Sequence, residues 1–378
     1  MERKVVIAIG LIVLGIVLAG IVCLAPRGNQ SSSISIGVVL PLTGNSAVHG
    51  RDILEGINMA YDEFLQSPNS PSLKIRLVVE DNFSTAKGSV TAFEKLAQLY
   101  APPIVIGPVA SSDMLSMVPI AEKNRIILFS PAASSPKLSN AGKYIFRMSL
   151  LAPDQTKVIS DYALRALNTK EAGVLYMNDD TGISYMESFV ADFTTSGGHV
   201  TFNESFEKTD TDFASHLLRL KTSNVPVAFI SGVPKTVGMI MKQAKELNLD
   251  VVFLSNYGAE GVDLLNVAKN AANGLVYTSI PVDIEFAAKY HKANQKEPEI
   301  CVSLGYDAMK IVLALLKDNP NDREALQMAF SHLNFDGVTG NTTILPSGDA
   351  SKEIVLKTVT NNQFVYLEQI EREITYEH

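Results

Sequence analysis

Short unbroken apolar runs alternate along this chain with longer stretches in which apolar residues recur every three or four positions. Ile36–Leu40 is such a run, stopped by Pro41, as expected of a strand buried on both faces. The next stretch places Ile53, Ile57, Tyr61, Phe64 and Leu65 on one face of a helix. The alternation continues with a strand at Ile75–Val79, a helix at Ser89–Tyr100 and a strand at Ile104–Ile106. Ser111–Asp113 then reads as the cap of a further helix, and Ile126–Phe129 as a fourth strand running into Ser130–Ser135. A second cycle begins after Pro153, with strands at Gly173–Met177, His199–Phe206, Val227–Ser231 and Val251–Leu254. Helices at Tyr185–Ser196, Phe213–Lys221 and Lys235–Leu247 separate them, and three more follow at Ile284–Gln295, Ser303–Asp318 and Asp322–Leu333. The chain then changes character: Thr342–Leu345, Glu353–Val359 and Phe364–Gln369 are short β segments, the last two joined by an Asn361-Asn362 turn. Repeated strand–helix units predict an α/β protein with parallel sheets covered on both faces, in two similar lobes and not a solenoid.

Composition narrows the class. The chain has 378 residues, 46% of them hydrophobic and 19% charged, with net charge −8 and two cysteines, Cys23 and Cys301. That is ample core for two domains, no disulfide framework, and no basic stripe to suit nucleic acid. Arg3 and Lys4 precede Val5–Ala25, 21 residues free of charge and long enough to span a hydrocarbon core of about 30 Å. The flanking charges predict that everything after Arg27 is extracytoplasmic. An uncleaved membrane anchor or signal segment over 1–27, followed by a linker over 28–33, is the expectation, with lipid anchoring at Cys23 as the alternative.

Searches for catalytic chemistry return little. No G-x-G-x-x-G follows a strand, no phosphate-binding G-x-x-x-x-G-K-[ST] occurs, and no G-x-S-x-G elbow is present. The six histidines are scattered without metal-ligand spacing. Neither an enzyme nor a cofactor is expected. What remains is three small-residue loops at the carboxyl ends of strands, Thr43–Gly50, Gly107–Asp113 and Ser130–Ser135, where open α/β sheets bind ligands. Hydroxyls and helix-terminal amides at Ser111 and Ser112 suit a carboxylate, although simple capping explains the same residues.

The segments Ile36–Gly44, His49–Asp52, Glu55-Gly56, Ile106–Ser112, Pro119–Glu122, Ser130–Ser134 and Tyr144–Arg147 resemble, in order and spacing, the substrate-binding proteins of branched-chain amino-acid ABC transporters. The resemblance runs from about Ile36 to Val365. It implies two Rossmann-like lobes of the type I periplasmic-binding fold, joined by a three-crossover hinge, closing over a small-molecule ligand. The crossings fall near Ala152-Pro153, Ser279–Pro281 and Asp336–Gly340. That gives a first lobe of 34–152 plus 281–336 and a second of 153–280 plus 337–378. Ser111, Ala132 and Ser134 match positions that hold the ligand's carboxylate and amino group, and His49 falls at the cleft mouth, as a ligand contact or an exposed loop residue. The second lobe departs from the pattern: Thr181 and Val233 stand near positions of tyrosines, and Tyr257 near that of the acid pairing with the ligand ammonium. Glu260, Asp179 or Asp180 could substitute for it. The implied function is capture of a carboxylate-bearing solute, an amino acid or related compound, by a monomer that delivers it to an ABC permease, or alternatively ligand sensing with a separate signalling partner.

Overall fold

The computed structural model describes residues 33–67, 74–319 and 322–367. The apolar run Val5–Ala25 with Cys23, and most of the 28–33 linker, lie outside the described residues, among which no helix is long and apolar enough to cross a membrane. Strands β1 (Ile34–Leu40), β2 (Ile75–Asp81), β3 (Ile104–Ile106), β4 (Ile127–Ser130) and β5 (Ile145–Arg147) pair in parallel in the order β2-β1-β3-β4-β5. Helices α1 (Ala47–Gln66), α2 (Ala86–Leu99) and α3 (Ser111–Asn124) connect the first four.

Helix α4 (Ala152–Asp161) leads into the second lobe and runs on as a π-helical turn at Tyr162–Ala166. There β6 (Glu171–Met177), β7 (His199–Phe206), β8 (Val227–Ser231), β9 (Val252–Ser255) and β10 (Val276–Ser279) are joined in parallel as β7-β6-β8-β9-β10. Between them come α5 (Asp180–Thr195), α6 (Ala214–Ser223), α7 (Pro234–Glu246) and α8 (Val262–Ala268). Both sheets thus carry their first strand between the second and third, and each has a topological switch point at its carboxyl edge.

The chain returns through α9 (Ile284–Asn294), α10 (Ile300–Asp318) and α11 (Arg323–Ser331) to a small antiparallel sheet of β11 (Asn334–Gly337), β12 (Gly340–Ile344) and β13 (Ala350–Ser351). It ends in the hairpin β14 (Val355–Thr360) and β15 (Gln363–Tyr366), which adds antiparallel to β10. Positive φ at both Asn361 (50°) and Asn362 (60°) gives that hairpin a primed turn, whose twist matches its strands.

Alternate residues of each central strand enter different cores, so the runs are apolar throughout. Ile36, Val38 and Leu40 face one cluster with α1 and α10, while Val39 faces the other with α2 and α3. Val174 and Leu175 divide likewise between the two cores of the second lobe. Helices α1 and α10 touch backbone to backbone where Gly56 meets Gly305. A Cβ at Gly56 would lie 1.9 Å from the Val302 carbonyl oxygen, and one at Gly305 would lie 2.1 Å from that of Ile53.

The small sheet corrects the lobe assignment of residues 337–351. Ile344 and Ala350 sit in the first lobe's core, and Asp349 pairs with Arg147 of β5 at 2.7 Å. The buried Asp307 carboxylate of α10 accepts from the Val338 and Thr339 amides at 2.9 and 2.8 Å, tying the β11–β12 turn to the same lobe. Passage to the second lobe comes only after β13, at 352–354, and not at 336–340.

Candidate functional site

The carboxyl ends of the two sheets face one another, and a cavity of about 80 Å3 lies between them. Its wall takes His49 from the first turn of α1, and Val109, Ala110, Ala132 and Ser134 from the first lobe's loops. From the second come Met177, Asp179, Thr181, Tyr185, Lys208, Ser231, Val233, Asn256 and Tyr257. The space exceeds the one-probe volume of about 10–15 Å3 that a single water needs. The N-terminal ends of α3, α5 and α7 all border it, through Ala110, Thr181 and Val233.

On the first-lobe side the 130–135 loop is shaped by internal hydrogen bonds. The Ser130 hydroxyl accepts from the Ala132 and Ala133 amides at 3.3 and 2.9 Å and donates to the Pro108 carbonyl at 2.6 Å. The Ser111 hydroxyl accepts from the Ser134 and Ser135 amides at 3.2 and 3.1 Å. The capping expectation for Ser111–Asp113 is corrected: α3 starts at Ser111, Ala110 is its N-cap, and no side chain caps it. Ser111 instead braces the neighbouring loop from behind the wall, and Ser112, half-buried, is also off the wall. Arg147, fully buried, donates to the carbonyls of Ser135 (2.5 Å) and Ala133 (3.3 Å) and to the Ser139 hydroxyl (3.0 Å) while paired with Asp349.

The second lobe reaches across. The Tyr257 hydroxyl donates to the Ala132 carbonyl, and its ring packs in the first lobe's core. Ser135 and Ser184 share a hydroxyl–hydroxyl bond of 2.7 Å, Lys137 pairs with Asp180 at 2.8 Å, and the Lys208 ammonium reaches the Ser84 carbonyl at 3.3 Å. These bonds bridge the lobes in a closed arrangement. Gln155 lies behind the wall, its Nε2 donating to the oxygen of the wall residue Tyr185 at 2.5 Å.

Of the acids the sequence offered as ammonium partners, only Asp179 is on the wall. Its carboxylate caps α5, accepting from the Gly182 amide at 2.8 Å, and burial raises its pKa against the lowering effect of that amide and of Lys208. Asp180 is engaged by Lys137. Glu260 is buried off the wall, bonded to the Lys357 ammonium at 3.0 Å and the Ser279 hydroxyl at 2.9 Å. Lys208 forms no ion pair within 4 Å among the described residues.

His49 is 8% exposed, and burial pulls its imidazole down to about 4, so it is neutral at pH 7; the Asp263 charge and the Glu260 backbone offset this in part. Nearby, the first lobe's Glu299 feels the charges of its own lobe's Asp52 and of the second lobe's Glu260. Burial raises Asp52 to about 6, and burial with the Glu260 and Asp52 charges raises Glu299 to about 7. Cys301 is a buried free thiol on the wall, its pKa driven up by burial. Among the described residues no cluster of His, Cys, Asp and Glu could hold a metal ion.

The structure therefore brings His49, Ala132, Ser134, Thr181 and Tyr257 together around one cavity and leaves Ser111, Ser112 and Glu260 behind it. Sequence reasoning missed Lys208, Tyr185, Met177, Asn256 and Cys301. Lys208 and Asn256 lie just past β7 and β9, and Met177 ends β6, so extending the strand-end rule to the second lobe would have found these three. No local signal marks Tyr185 or Cys301, which arrive from within helices.

Residues 33–363 match the sequence model of the periplasmic binding proteins. The leucine-, isoleucine-, valine-, threonine- and alanine-binding protein of Pseudomonas aeruginosa is 24% identical over 328 residues, covering 84% of this chain and 87% of the relative. A leucine-binding protein from Thermotoga maritima, 28% identical, superposes with a TM-score of 0.82 over 88% of this chain and 97% of its own. The branched-chain amino acid transporter substrate-binding protein of Streptococcus pneumoniae, solved with isoleucine, is 25% identical with the same TM-score over 88% of this chain and 98% of its own. With the family model spanning nearly all of the described chain, and two wound lobes closed over a common cavity, this chain belongs to the periplasmic binding protein family.

Proposed function

We propose that this chain is the extracytoplasmic binding component of an ABC transporter, held at the membrane by Val5–Ala25, which captures a small carboxylate-bearing solute between its lobes and presents the closed form to a permease. The observation that carries the reading is the cavity at the paired switch points, walled by both lobes and bridged by Tyr257–Ala132 and Ser135–Ser184. Such a site encloses a ligand and withdraws it from water, which suits capture more than turnover. The hinge strands pass near Ala152-Pro153, Ser279–Pro281 and 352–354 in this reading, and the protein acts as a monomer. Transport relatives support it: the named relatives bind amino acids by their own descriptions.

The test is thermal unfolding of the chain, refolded to strip retained solute, against amino acids, amides, carboxylates and nucleobases. A true solute at 100 times its dissociation constant adds about 2.7 kcal/mol to native stability. A shift confined to one chemical class is expected. Indifference to every class would remove solute capture as the function.

A further inference from the structure

The wall of the cavity is rich in donors and poor in acceptors. The carbonyls of residues 132–135 in the first lobe's loop each already accept a hydrogen bond inside the protein. That of Ala132 accepts from the Tyr257 hydroxyl, and that of Ala133 from the Ser149 hydroxyl and Arg147. That of Ser134 accepts from the Ala152 amide at 3.0 Å, and that of Ser135 from Arg147 at 2.5 Å. On the second-lobe side, Asn256 Oδ1 accepts from the Gly258 amide at 2.8 Å, and Glu260 is neutralised by Lys357.

A buried ammonium carries three donors and needs acceptors for them, because an unpaired charge in a dry cleft is expelled. The only wall carboxylate among the described residues is Asp179, one of whose oxygens already caps α5. Against this stand the hydroxyls of Ser134 and Thr181 and the Lys208 ammonium. A carboxylate, which only accepts, is the group these donors complement. Beyond them the wall is apolar, with Val109, Met177, Val233 and the neutral Cys301.

We propose that the solute is an organic monoanion, a carboxylic acid with an apolar remainder and no ammonium group, selected because Tyr257 and Lys357 have withdrawn the acceptors that a zwitterionic amino acid would need. The inference rests on the capture reading above and names its substrate class. Lys208 supplies the counter-charge, and Tyr257 acts by holding the Ala132 carbonyl.

Calorimetric titration of the full chain in detergent, refolded free of solute, tests this with two sets of shape-matched probes. One set is 4-methylpentanoate, leucine and 3-methylbutylamine; the other is 3-phenylpropanoate, phenylalanine and 2-phenylethylamine. In at least one set the carboxylate should bind about tenfold or more tightly than its amino acid, with the amine silent. Lys208→Gln should weaken the carboxylate by about tenfold. Tyr257→Phe, which frees the Ala132 carbonyl, should narrow the gap between acid and amino acid. Amino acids binding as well as or better than the acids would overturn the inference and leave capture standing. Silence from all six probes would also overturn it, and capture itself would then stand or fall by the wider thermal screen.

Discussion

Arg147 shows how a single side chain can govern the site without touching it. It is a buried cation whose guanidinium is shared between the Asp349 carboxylate and the carbonyls of the 133–139 loop. Removing one partner of a buried pair leaves the other charge unpaired, at a cost of about 3–5 kcal/mol. Arg147→Ala and Asp349→Ala should each lower the unfolding free energy by that order, read as a lower urea midpoint, while Arg147→Ala also weakens solute binding through loss of loop shape. A variant with unchanged stability would show that the loop is held by its other bonds. In the sequence Arg147 is visible only as the end of a family-like segment. Its partner stands 202 positions away, between two of the short β segments, where the pattern gives no orientation. Tyr257 is similar: its position at a strand end was legible, whereas its bond to Ala132 across the cleft depends on how two lobes meet.

At the scale of elements most strands and most helices were legible, because central strands are buried on both faces and most helices on one. The Asn361-Asn362 hairpin followed from turn chemistry alone. The short strands β5, β10, β11 and β13 were not read from the pattern, and two helices escaped as well. Helix α4 opens with Ala152-Pro153, which reads as a crossing, and α8 is a seven-residue helix too short for periodicity. The lobe to which β12 and β13 belong was misread, since a polar turn tied to Asp307 carries no pattern of its own.

The N-terminal end of α10 carries a pH consequence. Glu299 titrates near 7 in the closed protein, above its ordinary 4.5, because burial and the Glu260 and Asp52 charges oppose its ionisation. The folded state therefore binds this proton more tightly than the unfolded chain does. The contribution is fully favourable below about 4.5 and is lost as pH rises to about 7. Glu299→Gln keeps an oxygen for the Val262 amide and abolishes the charge. It should be more stable than the parent at pH 8 by about 1–3 kcal/mol, with the advantage vanishing toward pH 5. Chemical denaturation at the two pH values checks this, and a pH-independent difference would mean that Glu299 does not titrate in that window.

For the whole molecule the claim is that closure of two lobes encloses the solute. Alternation predicted two lobes with parallel sheets and the family resemblance implied their closure, but the contacts that hold the closed state come from residues with no common sequence signature. Ser135 and Ser184 lie on opposite lobes with hydroxyls 2.7 Å apart, near enough for a disulfide once both are cysteine, subject to the usual S–S distance of about 2.0 Å. The decisive measurement is the exchange rate of the solute chosen by the thermal screen, in Ser135→Cys, Ser184→Cys protein before and after oxidation, with pairing checked by peptide mapping. The account predicts that oxidised protein neither takes up nor releases solute and that reduction restores both. Free exchange through the cross-linked cleft would show that the solute is bound somewhere other than between the lobes.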